Sequence, residues 1–203
     1  MDNQGMVFVV DDDAEVRQSW ECILAAAELP TRSFPSAEAF LAEASCDQPC
    51  CLVLDLRMPG IGGQALLETL RRRHPDLPVI IISGHADVPA VIQTMRLGVV
   101  DFLTKPVDPA QFVVKIREVL RSVTQARRRQ ESELAVKARL ATLTDREREV
   151  LRLLVGGKLH KQIALELHIS TRTVDHHHAQ INVKMQANNA TDLVRMALVA
   201  GFA

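Results

Sequence analysis

The sequence predicts an α/β fold, a doubly wound parallel sheet of five strands, followed by a small all-α domain of four helices. Three observations carry this. Up to about residue 124, short continuous apolar runs alternate with amphipathic stretches, which is how strands buried on both faces read. From Leu143 onward the pattern is helical throughout. Between the two, residues 125–142 contain neither glycine nor proline.

Taken in order, Met6–Val10 is a β-branched run of strand length, and Ala14–Ala27 is the first helix. Thr31–Phe34 is a weaker strand, then Ser36–Glu43 is helical with Ser36 as N-cap. Cys51–Leu54 is a buried-type strand, and Gly63–His74 a helix stopped near Pro75. Val79–Ile82 is the fourth strand and Val88–Leu97 a helix ended by Gly98. Val100–Leu103 is the fifth strand. Pro109–Thr124 closes the series as a helix, with Asp108 as cap and proline at the first helical position. Crossovers in such a sheet are right-handed, and its ligand site lies at the carboxyl ends of the strands.

Residues 125–142 are rich in Ala, Glu, Arg and Leu, and Glu133 and Lys137 form an i,i+4 pair in the favourable order. They read as a stiff helical linker that continues the preceding helix. Leu134, Val136 and Leu140 do not make sustained heptads, which disfavours a coiled coil. Thr144 and Glu147 form a capping box before a helix carrying Val150, Leu151, Leu153 and Leu154, which Gly156-Gly157 ends. A short helix from His160 to Leu167, the turn His168-Ile169-Ser170 and a helix from Thr171 to Met185 have the layout of a helix-turn-helix. Ala190–Ala200 is the last helix.

Composition bounds the function classes. The 203 residues are 47% hydrophobic and 24% charged, an ordinary globular balance. No run approaches the ~20 apolar residues of a membrane span, and the polar start Met1–Gly5 is not a secretory signal, so a cytoplasmic location is expected and no membrane partner. Cys22, Cys46, Cys50 and Cys51 match no zinc spacing, and Cys50 and Cys51 are expected as reduced core or edge thiols. The net charge of −1 hides an asymmetry: −6 for residues 1–124, +3 for 125–142 and +2 for 143–203. An acidic first half thus precedes a modestly basic end.

Polar residues converge at the predicted strand ends. Asp11-Asp12-Asp13 follow the first strand, Asp55 the third, Ser83 the fourth and Thr104-Lys105-Pro106 the fifth. Taken alone, each is an ordinary cap, turn or surface residue, and Asp13 is read as a helix cap. Together they place carboxylates that repel one another beside a hydroxyl and a lysine. An all-oxygen site of that kind suits Mg²⁺, and the set is equipment for phosphoryl transfer, with Asp55 as nucleophile.

Through Val-Val-Asp-Asp-Asp, Leu-Asp-Leu-Arg-Met-Pro-Gly, Ile-Ser-Gly-His and Phe-Leu-Thr-Lys-Pro, residues 6–121 resemble the receiver domain of two-component response regulators. The resemblance implies the flavodoxin-like receiver fold, Asp55 as phospho-acceptor, and Mg²⁺ held by Asp12, Asp55 and the backbone carbonyl of Arg57, with Asp11 assisting. Ser83 is then the switch hydroxyl, Lys105 the phosphate clamp and Phe102 the switch aromatic. It also implies a cis Lys105–Pro106 bond. Arg57 and His85 resemble positions that tune dephosphorylation.

Residues 143–203 resemble the LuxR/FixJ-type DNA-binding domain through Leu143–Leu151, Lys161-Gln-Ile-Ala164, the Ile-Ser-x-x-Thr-Val of 169–174 and Leu193–Leu198. The resemblance puts Thr171–Met185 in the major groove. Asp175, His176 and Ala179 match base-reading positions, while Lys161, Thr173, His177 and Lys184 touch phosphates or fix orientation. Some residues depart from the pattern. His178 stands where Arg is frequent, and Gln186 and Asn188 replace basic positions. His168 stands where glycine is usual, which calls for an unusual backbone angle. Three successive helical histidines, His176-His177-His178, point ~100° apart and cannot chelate one ion. An ordinary histidine pKa near ~6.5 predicts instead that lowering pH from 8 to 6 tightens DNA binding.

The two resemblances together imply a DNA-binding response regulator: receiver 1–124, helical linker 125–142 and DNA-binding domain 143–203. The implied partners are a sensor histidine kinase, double-stranded DNA with paired half-sites, RNA polymerase and a second copy of the chain, the dimer being promoted by phosphorylation. The implied role is not enzymatic beyond slow self-phosphorylation and dephosphorylation. A phosphohydrolase needs an Asp-x-Asp pair, and Asp55-Leu56-Arg57 lacks the second Asp. A receiver that works only through protein contacts has no use for the Asp11, Asp12, Asp55 and Lys105 set.

Overall fold

The computed structural model describes residues 5–46, 48–84 and 88–202. Along the chain come β1 (Met6–Val10), α1 (Ala14–Ala26), β2 (Thr31–Phe34), α2 (Ala37–Glu43), β3 (Cys50–Leu54), α3 (Gly63–Arg73), β4 (Val79–Ser83), α4 (Val88–Arg96) and β5 (Asp101–Thr104). There follow α5 (Pro109–Ala141), α6 (Asp145–Val155), α7 (His160–Glu166), α8 (Thr171–Met185) and α9 (Ala190–Val199). The chain divides into two compact units, residues 1–127 and 128–203. The helix expected over Pro109–Thr124 and the helical stretch after it form one element, α5.

In the first unit the strands are all parallel, in the order β2-β1-β3-β4-β5. Successive side chains alternate between the two faces. Val7, Val9, Cys51, Val53, Ile80 and Ile82 pack on one side with Trp20 and Leu24 of α1 and Phe112 and Ile116 of α5. Phe8, Val10, Leu52, Leu54 and Ile81 pack on the other with Phe40 of α2 and Leu66, Leu67 and Leu70 of α3. Burial on both faces explains why these strands read as unbroken apolar runs. Strand order reverses at β1 and β3, where a doubly wound sheet opens its ligand crevice.

β5 begins one residue later than expected. Asp101 pairs in register with Ile80 and its carboxylate meets Lys115 at 2.7 Å, whereas Val100 is half exposed. The cysteine expectation needs correcting. Cys51 is a buried free thiol, but Cys50 is joined to Cys46 in a disulfide. The loop ahead of β3 brings their Cα atoms to 6.6 Å, within bridging range, a local geometry that compartment and spacing arguments do not see.

The second unit is helical. Val150 and Leu151 of α6, Ile163 of α7, Val174, Ile181 and Met185 of α8 and Leu193 and Met196 of α9 form its core. Val136 and Leu140, in the last turns of α5, are buried in that core, so this part of the expected linker packs as a domain element. Thr144 caps α6, with Glu147 bonding back to the Thr144 N–H at 2.7 Å. His168 has φ +53° and Gln186, at the C-cap of α8, φ +55°. The Lys105–Pro106 bond is cis.

Candidate functional site

The register of the central strands sets the first site. Val10 lies opposite Leu54, and the Asp55 N–H donates to the Val10 carbonyl at 2.9 Å. This brings Asp11 and Asp55 side by side just past β1 and β3. Ser83 ends β4 opposite Thr104, and the Lys105 N–H donates to the Ser83 carbonyl at 3.0 Å. The Lys105 ammonium lies 2.8 Å from Asp11 Oδ2 and 3.2 Å from Asp55 Oδ1. Both carboxylates are buried, 4% and 7% exposed, and so is Ser83 at the end of β4.

Burial pushes the Asp55 carboxyl up. Lys105 and the Arg57 N–H, which donates to Asp55 Oδ2 at 2.6 Å, pull it down, and Asp11 pushes it up again; the net direction is upward. Burial alone lowers the Lys105 ammonium, but Asp11 and Asp55 outweigh it and hold it charged. A charged lysine between two carboxylates still leaves excess negative charge at the strand ends, with Asp12 exposed next to them. That excess, presented on hard oxygen donors, fits a divalent cation. Among the described residues no three acidic, His or Cys side chains gather round one point. Asp11, Asp12, Asp55 and the Arg57 carbonyl are the oxygen donors at this end of the sheet that would hold such a cation.

The sequence reading passed over several residues that shape this site. Arg17 in α1 donates to the Asp11 carbonyl at 2.8 Å and to the Asp12 carbonyl at 3.0 Å, fixing the acidic loop. A cation near a helix N-terminus opposes the helix dipole, and that anomaly was the available signal. Gly63 is needed at its position, because a Cβ there meets the Asp55 carbonyl oxygen at 2.2 Å. Glu38 of α2 accepts from the Ile61 N–H at 2.9 Å and so holds the loop after Asp55. Asp13 caps α1 through the Glu15 and Val16 N–H groups, as read from the sequence. Phe102 is half buried against the core, and Arg57 is exposed. His85 lies outside the described residues.

The second site is the face of α7 and α8. Ser170 caps α8 through the Thr173 N–H at 3.1 Å, and the two hydroxyls lie 2.8 Å apart, so Thr173 is part of the cap. Val174, Ile181 and Met185 point into the core. Lys161, Asp175, His176 and Ala179 are exposed, and His177 is half buried. Arg172, unassigned from the sequence, is exposed on the first turn of α8. His178 turns toward α7, its ring 5.0 Å from that of His160, which in turn meets Asp175 at 2.7 Å. Lys184 is committed to Glu147, at 2.6 and 2.8 Å from its two oxygens.

Residues 7–117 match the response regulator receiver domain family, and residues 141–197 the luxR family of bacterial regulatory proteins. The chain is 42% identical to the transcriptional regulatory protein FixJ of Azorhizobium caulinodans over 97% of its own length and 93% of that protein's. A solved structure of the response regulator StyR superposes with a TM-score of 0.84 at 34% identity, covering 96% of this chain and 98% of that one. Full-length FixJ from B. japonicum gives 0.60 at 36% identity, with 98% of each chain covered. Identity at this level across both units, in the same order, makes the chain a member of the FixJ-like two-component response regulators, a receiver domain joined to a LuxR-type DNA-binding domain.

Proposed function

We propose that the chain is switched by transfer of a phosphoryl group to Asp55 from a partner histidine kinase, and that the switch changes DNA binding by α7 and α8. The observation that carries this is the Lys105 ammonium shared between the buried Asp11 and Asp55 carboxylates. An Asp55 oxygen attacks phosphorus as the bond from phosphorus to the donor's nitrogen breaks. Lys105, already charged, moves its hydrogen bond from Asp55 to a phosphoryl oxygen and neutralises part of the developing charge. Ser83 donates its hydroxyl to a second phosphoryl oxygen. Asp11, Asp12, Asp55 and the Arg57 carbonyl would hold Mg²⁺, which would supply further charge neutralisation when bound. Movement of Ser83 is passed to Phe102, which has no hydroxyl and signals by rotation and packing.

Asp175, His176 and Ala179 face base edges, and Lys161, His177 and Arg172 face phosphates. Lys184 and Thr173 fix the orientation of α8. A single modestly basic domain binds DNA weakly, so two copies on paired half-sites, brought together by phosphorylation, give the switch its leverage. RNA polymerase is the expected further partner. The chain's own chemistry is limited to gaining and slowly losing the phosphoryl group.

The test uses Mg²⁺ and acetyl phosphate, in which the bond broken runs from phosphorus to oxygen. Intact mass rises by one phosphoryl group in the wild type and its DNA affinity changes; Asp55→Asn does neither. An unchanged wild-type mass favours instead a receiver that acts through protein contacts alone.

A further inference from the structure

The contact between α7 and α8 assigns a role to a residue that neither resemblance singles out. His160 Nδ1 lies 2.7 Å from Asp175 Oδ1. An ionised carboxylate only accepts, so the proton in this bond sits on Nδ1. His160 opens α7, the supporting helix, whereas Asp175 stands on the outer face of α8 among the exposed residues that face DNA in the reading above. The His160 ring also packs against that of His178, with centroids 5.0 Å apart and an interplanar angle of 87°. Burial, and His160 itself, hold His178 toward its neutral form, so the ring packs there without adding charge.

We infer that His160 is a positioning residue for base reading, which fixes the Asp175 carboxylate so that its remaining oxygen accepts from one exocyclic amino group in the major groove. The inference rests on the proposal that Asp175 faces bases. Two physical points support it. An unrestrained aspartate has rotamer freedom to lose on binding, and a carboxylate near phosphates is repelled unless its charge is offset. A hydrogen bond from the ring removes that freedom and occupies one carboxylate oxygen that would otherwise be open to the phosphates. Because the carboxylate is acceptor-only, the base it selects carries an amino group, with cytosine N4 the usual partner of a carboxylate. With Oδ1 held by His160, Oδ2 is aimed at a single amino hydrogen.

The experiment selects bound duplexes from a randomised pool with the full chain, comparing wild type, His160→Ala, His160→Asn, Asp175→Ala and the double alanine variant. Far-UV circular dichroism checks the fold of each. Asp175→Ala is expected to reduce the preference for an amino-bearing base at one half-site position by about tenfold. His160→Ala reduces the preference at that same position by about fivefold, leaves the other positions intact, and has no further effect in the Asp175→Ala background. His160→Asn, whose amide nitrogen replaces Nδ1, restores it. A His160→Ala variant that loses affinity evenly at all positions, or whose effect adds to that of Asp175→Ala, overturns the role of His160 while Asp175 keeps its own. An unchanged profile in Asp175→Ala overturns both.

Discussion

Lys184 closes two short hydrogen bonds on Glu147, 2.6 and 2.8 Å from its carboxylate oxygens, and ties the end of α8 to the capping box of α6. Burial raises the Glu147 carboxyl, but Lys184 and the Thr144 N–H and hydroxyl outweigh it and hold it below its ordinary value of 4.5. The pair therefore contributes stability at pH values above that figure and loses it as pH falls through the depressed value.

Lys184→Ala leaves a carboxylate that is only 5% exposed without its counter-charge, held by Thr144 alone. The expected loss is about 2 kcal/mol, less than for a fully buried pair because the lysine is partly solvated. Thermal melts of the variant should show this. Its DNA affinity, measured across a series of salt concentrations, should keep the wild-type slope. Lys161→Ala, at an exposed lysine, should instead reduce that slope by about one unit with little change in stability. A lower slope for Lys184→Ala shows that the lysine leaves Glu147 for phosphate.

Asp55→Asn should stabilise the metal-free receiver by about 1 kcal/mol. Burial and the Asp11 charge both work against the Asp55 carboxylate, and groups kept for function are commonly held at the expense of stability. Trp20 is the single tryptophan and packs from α1 against Phe112 of α5 in the core, so its fluorescence in a urea titration follows this unit alone. Adding Mg²⁺ should raise the wild-type midpoint and leave the variant nearly unmoved. A destabilised Asp55→Asn means that the bonds from Lys105 and the Arg57 N–H dominate over burial.

The parts of this molecule legible in its sequence are those fixed by local pattern. Strands buried on both faces must be apolar throughout, and a crevice at their carboxyl ends must carry its polar groups just beyond them, so Asp11, Asp55, Ser83 and Lys105 announced themselves. The capping box of Thr144 and Glu147 is equally local. What stayed hidden depends on partners far along the chain. The bond from Arg17 to the acidic loop, the space Gly63 leaves for the Asp55 carbonyl, and the pairs Lys184–Glu147 and His160–Asp175 exist only once helices pack. The Cys46–Cys50 disulfide depends on a loop path that no periodicity encodes.

His168 shows a local departure with a definite consequence. Its φ of +53° lies in the left-handed region, where a Cβ is unfavourable and glycine is at ease. The Leu167 carbonyl just before it accepts from Arg146 at 2.6 Å, so the turn between α7 and α8 is held in place. His168→Gly should stabilise the second unit by about 0.5–1 kcal/mol, after allowance for the greater freedom of glycine in the unfolded chain. A melting temperature raised by about 4 °C is the expected readout. A fall in melting temperature means that the imidazole makes up for its backbone angle.

The histidine run at 176–178 splits in the structure. His176 is exposed, while His178 lies against α7 with its imidazolium disfavoured first by burial and then by His160, Asp175 opposing only in part. A histidine whose folded pKa is depressed contributes stability above its ordinary value of 6.5 and loses it as pH falls. Between pH 7 and pH 5 the second unit should therefore lose stability, by an amount that solvent screening keeps below about 1 kcal/mol. His178→Asn should flatten that dependence in circular dichroism melts. The tightening of DNA binding expected between pH 8 and pH 6 then draws nothing from His178. At fixed salt, His178→Asn should leave that change in affinity intact. Equal affinity of the wild type at both pH values removes the charge role of the whole run, and leaves His178 as a packing residue behind His160.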